Sequence, residues 1–295
     1  MNPPSMTWLP LSLLAAFFLA TADAVTKRYL SAYRPGEIAV VRFGGTGLLL
    51  LPLLFLQPWP PLPAPFWGLL AIALPLEITA MWLYMKAIST SPLSLTLPYL
   101  AFTPVFNILT GYLILGETVS RTGLTGILMV VAGAWLLNLK EMNHHGTHHP
   151  LAPFRAIVRV EGARLMLITA AIYSVNSVLG KALLGYAPPL FFGPFYFLAV
   201  GSAAALLFSL RRPDRWRAVR QHPLACLLVG FFMAGMILAH FHAVTMIEVA
   251  YMIAVKRTSL LFGMLYGAWL FKEKGLALHL AAGAIMIGGV LLIAA

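Results

Sequence analysis

The second half of this chain repeats the first, and that duplication limits the possible folds more than any other feature. Residues 17–55 align without a gap on 170–208, an offset of 153, sharing Tyr33/Tyr186, Pro35/Pro188 and Phe55/Phe208. Further on the offset becomes 156 and pairs Ala87 with Ala243, Thr103 with Ser259, Gly111 with Gly267, Glu117 with Glu273, and Gly133 with Gly289. Each copy holds five apolar runs, and a run of ~20 residues crosses a bilayer. Five is odd, so the second copy threads the membrane in the opposite sense. The expected fold class is an all-α membrane protein of ten transmembrane helices in two inverted five-helix repeats. Inverted repeats around a midplane site are the plan of many secondary transporters.

Composition agrees with a membrane chain. Of the 295 residues 60% are hydrophobic and 10% charged, with mean hydropathy +0.87, where soluble domains carry about 25% charge. The single cysteine, Cys226, lies in an apolar stretch, which excludes an intrachain disulfide and reads as packing. A net charge of +11 does not signal nucleic acid, because the basic residues sit between apolar runs, where orientation and contact with anionic lipid explain them. The first run ends in an Ala-x-Ala pattern like a signal peptide, yet residues 1–7 hold no Lys or Arg and the run has a repeat mate. It reads as a retained first span.

The ten expected spans cover roughly 7–29, 37–57, 66–88, 92–115, 120–138, 163–183, 188–209, 223–244, 249–271 and 275–293. They give a first repeat at 1–138, a His-rich link at 139–162 and a second repeat at 163–295. Fifteen Lys and Arg fall in the connections after odd spans and only Arg121 and Lys181 on the other side. This bias puts the odd connections in the cytoplasm and both termini outside.

Residues 92–138 resemble the end of an EamA domain of the drug/metabolite transporter superfamily. The features that carry the likeness are Pro104, Gly111 within Leu-Thr-Gly-Tyr-Leu, Leu-Gly-Glu at Glu117, and a glycine-rich fifth span. The second copy, 254–292, keeps Gly267, Glu273 and Gly289 but has Leu260 in place of Pro104. The resemblance implies a ten-helix carrier in an inner membrane of bacterial type, with a cavity lined by spans 1, 3, 4, 6, 8 and 9 and worked by alternating access. It also implies cytoplasmic termini, against the loop charges. Relatives carry amino acids, drugs, nucleotide sugars and sugar phosphates.

Lys256 and Arg257 are the sharpest candidates. They lie about seven residues into the ninth span, roughly 10 Å deep at 1.5 Å per residue. An intramembrane charge costs at least ~2.5–3.5 kcal/mol, and the repeat mates Leu100 and Ala101 carry none. The pair resembles the Lys-Arg pair that contacts substrate phosphate in plastid triose-phosphate translocators. The bland alternatives are snorkelling to headgroups or pairing with Glu248. His240, His242 and Lys181 share the same half of the membrane under the assigned topology, and His240 aligns with Tyr84. Either histidine also reads as a satisfied core residue.

Glu77 at the centre of the third span and Asp23 in the first, with repeat mates Met233 and Asn176, are the candidate proton-coupling carboxylates. Asp23 has a structural alternative in Arg42, whereas Glu77 has no sequence partner except Lys86. The trios Thr103, Asn107, Gly111 and Ser259, Gly263, Gly267 recur every four residues and suggest a crossing of spans 4 and 9; Asn107 is also a candidate ligand. Glu117 and Glu273 are expected to cap spans 5 and 10. The imidazoles of His144, His145, His148 and His149 fit a weak, adventitious metal site at most.

The leading function is a secondary transporter for a phosphorylated or carboxylated metabolite, driven by proton coupling or exchange. The expected substrate site is Lys256, Arg257, His240, Lys181, Tyr84, Asn107 and Asn176. The alternatives are an exporter of amino acids or drugs centred on Glu77, or a flippase for lipid or a lipid carrier. An enzyme is not expected, since no HExxH, Ser-x-x-Lys or paired cysteine and histidine stands in a suitable place. No cofactor or resident metal is expected. The expected partners are the substrate and membrane lipid, with a homodimer left as an open alternative and no nucleic acid. Glycines of spans 5 and 10 (Gly123, Gly126, Gly133; Gly283, Gly288, Gly289) fit packing within or between monomers.

Overall fold

A computed structural model describes residues 7–91, 99–143, 160–209, 217–271 and 276–295. Every regular element among them is helical. Seven helices have the length and apolarity to cross a membrane: Trp8–Leu30, Gly36–Phe55, Ala64–Tyr84, Glu161–Leu183, Pro189–Leu206, Pro223–Val244 and Val249–Gly267. Thr103–Leu115, Arg121–Leu136 and Ala281–Ala294 are shorter apolar helices at the three remaining expected spans. The chain is an integral multi-pass membrane protein of two five-helix repeats.

The contacts divide the chain into two compact units, each drawing on both repeats. The first contains residues 1–74, 181–246 and 262–273. In it α1 (Trp8–Leu30) packs on α10 (Pro223–Val244). Alanines 15, 16, 20 and 22 of α1 are buried, and a Cβ on Gly235 would stand 2.7 Å from the Phe18 ring. Small residues thus bring two apolar helices close where lipid supplies no hydrophobic drive. The second span begins as α2 (Pro35–Ala39), passes through a π-helical segment Val40–Gly45, and continues as α3 (Thr46–Phe55). α3 packs on α8 (Pro189–Ser209), where a Cβ on Gly47 would meet the Leu198 Cα at 2.9 Å.

The second unit contains residues 75–180, 247–261 and 274–295. It takes the C-terminal half of α4 (Ala64–Thr90) from Pro75 on, then α5 (Thr103–Leu115), α6 (Arg121–Asn143) and most of α7 (Glu161–Leu183). After α9 (Arg217–Gln221) and α10 of the first unit, the chain returns as α11 (Val249–Lys256) and the start of α12 (Ser259–Phe271). α13 (Leu276–Ala294) ends it. Gly126 of α6 and Gly289 of α13 pack against each other within the monomer. A Cβ on Gly126 would lie 2.6 Å from the Gly289 carbonyl oxygen, and one on Gly289 the same distance from that of Gly126.

The Leu-Gly-Glu motif has a local reason. α5 ends at Gly116, whose φ of +70° only glycine adopts without strain. The left-handed turn folds Glu117 back over Gly111, whose absent Cβ would sit 3.1 Å from the carboxylate. From there Glu117 accepts the Val249 N–H at 2.9 Å and caps α11. This corrects the expectation that Glu117 caps the fifth span: its partner is the ninth. Ser120 donates its N–H to the Tyr251 hydroxyl at 2.7 Å, a second tie between the α5–α6 turn and α11. Spans 4 and 9 do meet, through α5 and α11, but not through the expected small-residue trios. Gly111 makes room for Glu117, and a Cβ on Gly263 would meet nothing within 4 Å.

Candidate functional site

The ninth span is one apolar run interrupted by a single tightened turn. α11 stops at Lys256, Arg257 and Thr258 form a turn, and α12 resumes at Ser259. The amides of Arg257 and Thr258 return to the carbonyls of Ile253, Ala254 and Val255 at 3.0–3.2 Å, tightening the last turn. No proline or glycine marks the break. The first repeat breaks at the matching place, residues 101–102, before α5 begins at Thr103. A helix C-terminus presents free carbonyls and the negative end of its dipole, which favours cations. Lys256 and Arg257 occupy that end of α11.

Arg257 donates from Nη2 to the Thr103 hydroxyl at 2.8 Å, and its buried Nε has no hydrogen-bond partner among the described residues. The phenols of Tyr173 and Tyr84 lie within electrostatic reach of this guanidinium. No carboxylate pairs with Arg257 among the described residues, so the expected alternative partner, Glu248, does not hold it.

Polar side chains extend from Arg257 in stripes on three helices. On α5 they are Thr103, Asn107 and Thr110, spaced i, i+4, i+7 on one face. On α7 they are Tyr173, Ser174, Asn176 and Ser177, and on α4 Glu77 and Tyr84. Ser177 donates to the Asn107 Oδ1 at 2.9 Å, and Thr110 shares a 2.9 Å bond with Ser174. Asn107 is 1% exposed, and its Nδ2 has no partner among the described residues. The Asn176 amide donates to Glu77. Glu77 therefore has a partner that local sequence did not reveal, while Lys86 turns to Glu161 at 3.0 Å.

The sequence-predicted residues fall in both units. Lys256, Arg257, Tyr84, Asn107, Asn176 and Glu77 belong to the second unit. Asp23, Lys181 and His240 belong to the first. Arg42, in the π-helical segment, forms an ion pair with Asp23, the structural alternative read from sequence. The same guanidinium reaches the Met233 sulfur at 3.5 Å. Asp23 and Met233 are the repeat mates of Asn176 and Glu77, so each equivalent pair holds one carboxylate, on opposite members. The His240 ring packs on Phe241 at 5.1 Å, and His242 Nδ1 bonds the Leu238 carbonyl at 2.7 Å. Sequence reasoning passed over Tyr173, Ser174, Ser177 and Thr110. Their signal was present as polar residues three and four apart in apolar helices. Glu273 and the four loop histidines lie outside the described residues.

The model of the EamA-like transporter family matches residues 6–139 and 161–295. A solved structure described as "Crystal structure of protein" superposes with a TM-score of 0.72 and 17% identity, covering 97% of this chain and 94% of that one. This likeness is one of fold. No curated protein matches the chain.

Proposed function

This chain belongs to the EamA-like transporter family, and we propose that it moves a small organic anion, carboxylated or phosphorylated, across the membrane by alternating access. The observation that carries the reading is the Arg257 guanidinium at a helix break. It is bonded to a neutral hydroxyl and balanced by no carboxylate among the described residues. An intramembrane charge is costly unless water, a partner or a ligand offsets it. Two buried donors, Arg257 Nε and Asn107 Nδ2, favour a ligand rich in acceptor oxygens. Lys256 adds charge at the same helix end. Glu77, held by Asn176, is the coupling carboxylate in this reading: its protonation accompanies one leg of the cycle.

Thermal denaturation of the protein in nanodiscs, against panels of anionic, neutral and cationic metabolites, tests the reading. A ligand at 100 times its Kd stabilises the native state by about 2.7 kcal/mol. Anions are expected to raise the midpoint, and Arg257→Ala to abolish the shift. Shifts from neutral or cationic compounds that survive Arg257→Ala refute it. The Glu77–Asn176 bond favours a second reading, a carboxylate-centred site for amine-bearing substrates. That reading expects Glu77→Gln, not Arg257→Ala, to abolish the response.

A further inference from the structure

Apart from the transport site, the first unit holds a cavity of about 370 Å³ between the α1–α2 corner and α9 with the start of α10. Its wall carries both signs of charge. Arg34 and Arg217 line it and, among the described residues, neither has an acidic partner. Glu37 lines it too and is 6% exposed. One Glu37 oxygen accepts the Arg34 backbone N–H at 3.4 Å, and the other has no partner among the described residues. Capping α2 thus occupies half of a buried carboxylate.

The remaining wall is aromatic and fixed. Tyr33 donates to Gln221 Oε1 at 2.6 Å, and its ring stands edge-on to His222 at 5.9 Å. Tyr29 is exposed beside them, with the Arg28 guanidinium 5.7 Å from its ring centre. Tyrosines with arginines beside an apolar span are the furnishing of a membrane–water boundary, and basic pockets at that level take lipid headgroups.

We propose that this cavity binds a phosphorylated primary amine, the zwitterion that forms the headgroup of phosphatidylethanolamine. The phosphate meets Arg34 and Arg217, and the ammonium donates to the unpartnered oxygen of Glu37, which is buried without ligand and is uncovered as the headgroup enters. A purely anionic headgroup would set its charge against Glu37. A choline headgroup has no N–H to donate.

The test is to reconstitute the full chain in vesicles of equal phosphatidylethanolamine, phosphatidylcholine and phosphatidylglycerol, extract it gently, and quantify bound lipid by native mass spectrometry. Phosphatidylethanolamine is expected to be enriched about tenfold over phosphatidylcholine, the factor one charged hydrogen bond supplies. Arg217→Gln, at an exposed position, should lower the total bound. Glu37→Gln should erase the preference over phosphatidylglycerol while leaving lipid bound. A parallel arm adds free O-phosphoethanolamine: displacement of the lipid at comparable concentration supports the same chemistry with a soluble source, and failure to displace assigns it to the bilayer. Bound lipid that follows the bulk ratio, or favours phosphatidylglycerol, in the folded wild type overturns the proposal.

Discussion

Replacing Gly126 with alanine should destabilise the protein, although the same change in an open helix would stabilise it. The added Cβ would stand 2.6 Å from the Gly289 carbonyl oxygen, 2.8 Å from Ile293 Cγ1 and 3.1 Å from the Ile293 nitrogen. Two of those atoms are backbone and cannot rotate away. An ordinary contact begins near 3.4 Å, so α6 and α13 must part by roughly 0.8 Å. That separation also loosens the seat of Gly133 against Ala282 and Met286. Overpacking of this kind costs about 1–3 kcal/mol, which lowers the melting midpoint by roughly 2–10 °C in a chain of this size. Gly68 and Gly263 are the internal controls, since a Cβ at either would meet nothing within 4 Å. There alanine should stabilise by about 0.5–1 kcal/mol through helix propensity. The assay is differential scanning fluorimetry of the four proteins in one lipid. A Gly126→Ala midpoint at or above that of wild type would refute the mutual glycine contact.

Glu117→Ala should cost about 0.5–2 kcal/mol by leaving the Val249 N–H uncapped, and Glu117→Gln less; both are read as midpoint shifts. Thr103→Val removes the acceptor of Arg257 at constant shape. It should lower ligand-free stability by about 1–3 kcal/mol while enlarging the midpoint shift produced by anions, because the guanidinium no longer has a resident partner. Asp23→Asn should weaken the first unit by only about 0.2–1 kcal/mol, because the Asp23 side chain is half exposed. If the pair acts as a unit, Asp23→Asn and Arg42→Gln combined should cost less than the sum of the two, as a double-mutant cycle would measure.

Helices were legible because apolar runs announce themselves: expected and observed spans agree to within a few residues over most of the chain. Breaks were not. Ala254–Ser259 contains neither proline nor glycine, and its turn comes from backbone return bonds that composition does not encode. The π-helical Val40–Gly45 is silent for the same reason. Arg257 and Glu77 were conspicuous as charges in apolar sequence, but their partners were not. Thr103 lies 154 residues from Arg257 and Asn176 lies 99 from Glu77. The repeat contained a usable hint, since Asp23 and Glu77 sit on opposite members of an equivalent pair. Glu117 misled because its nearest helix start in sequence is the fifth span, whereas Gly116 turns it toward the ninth.

The matching interruptions at residues 101–102 and 257–258 differ in one respect: only the second carries charge, with Leu100 and Ala101 where Lys256 and Arg257 stand. The repeat thus holds two copies of one interruption, of which one is charged and the other apolar. A scaffold with near twofold symmetry therefore has a head and a tail. The anionic cargo proposed above would meet it in a single polarity.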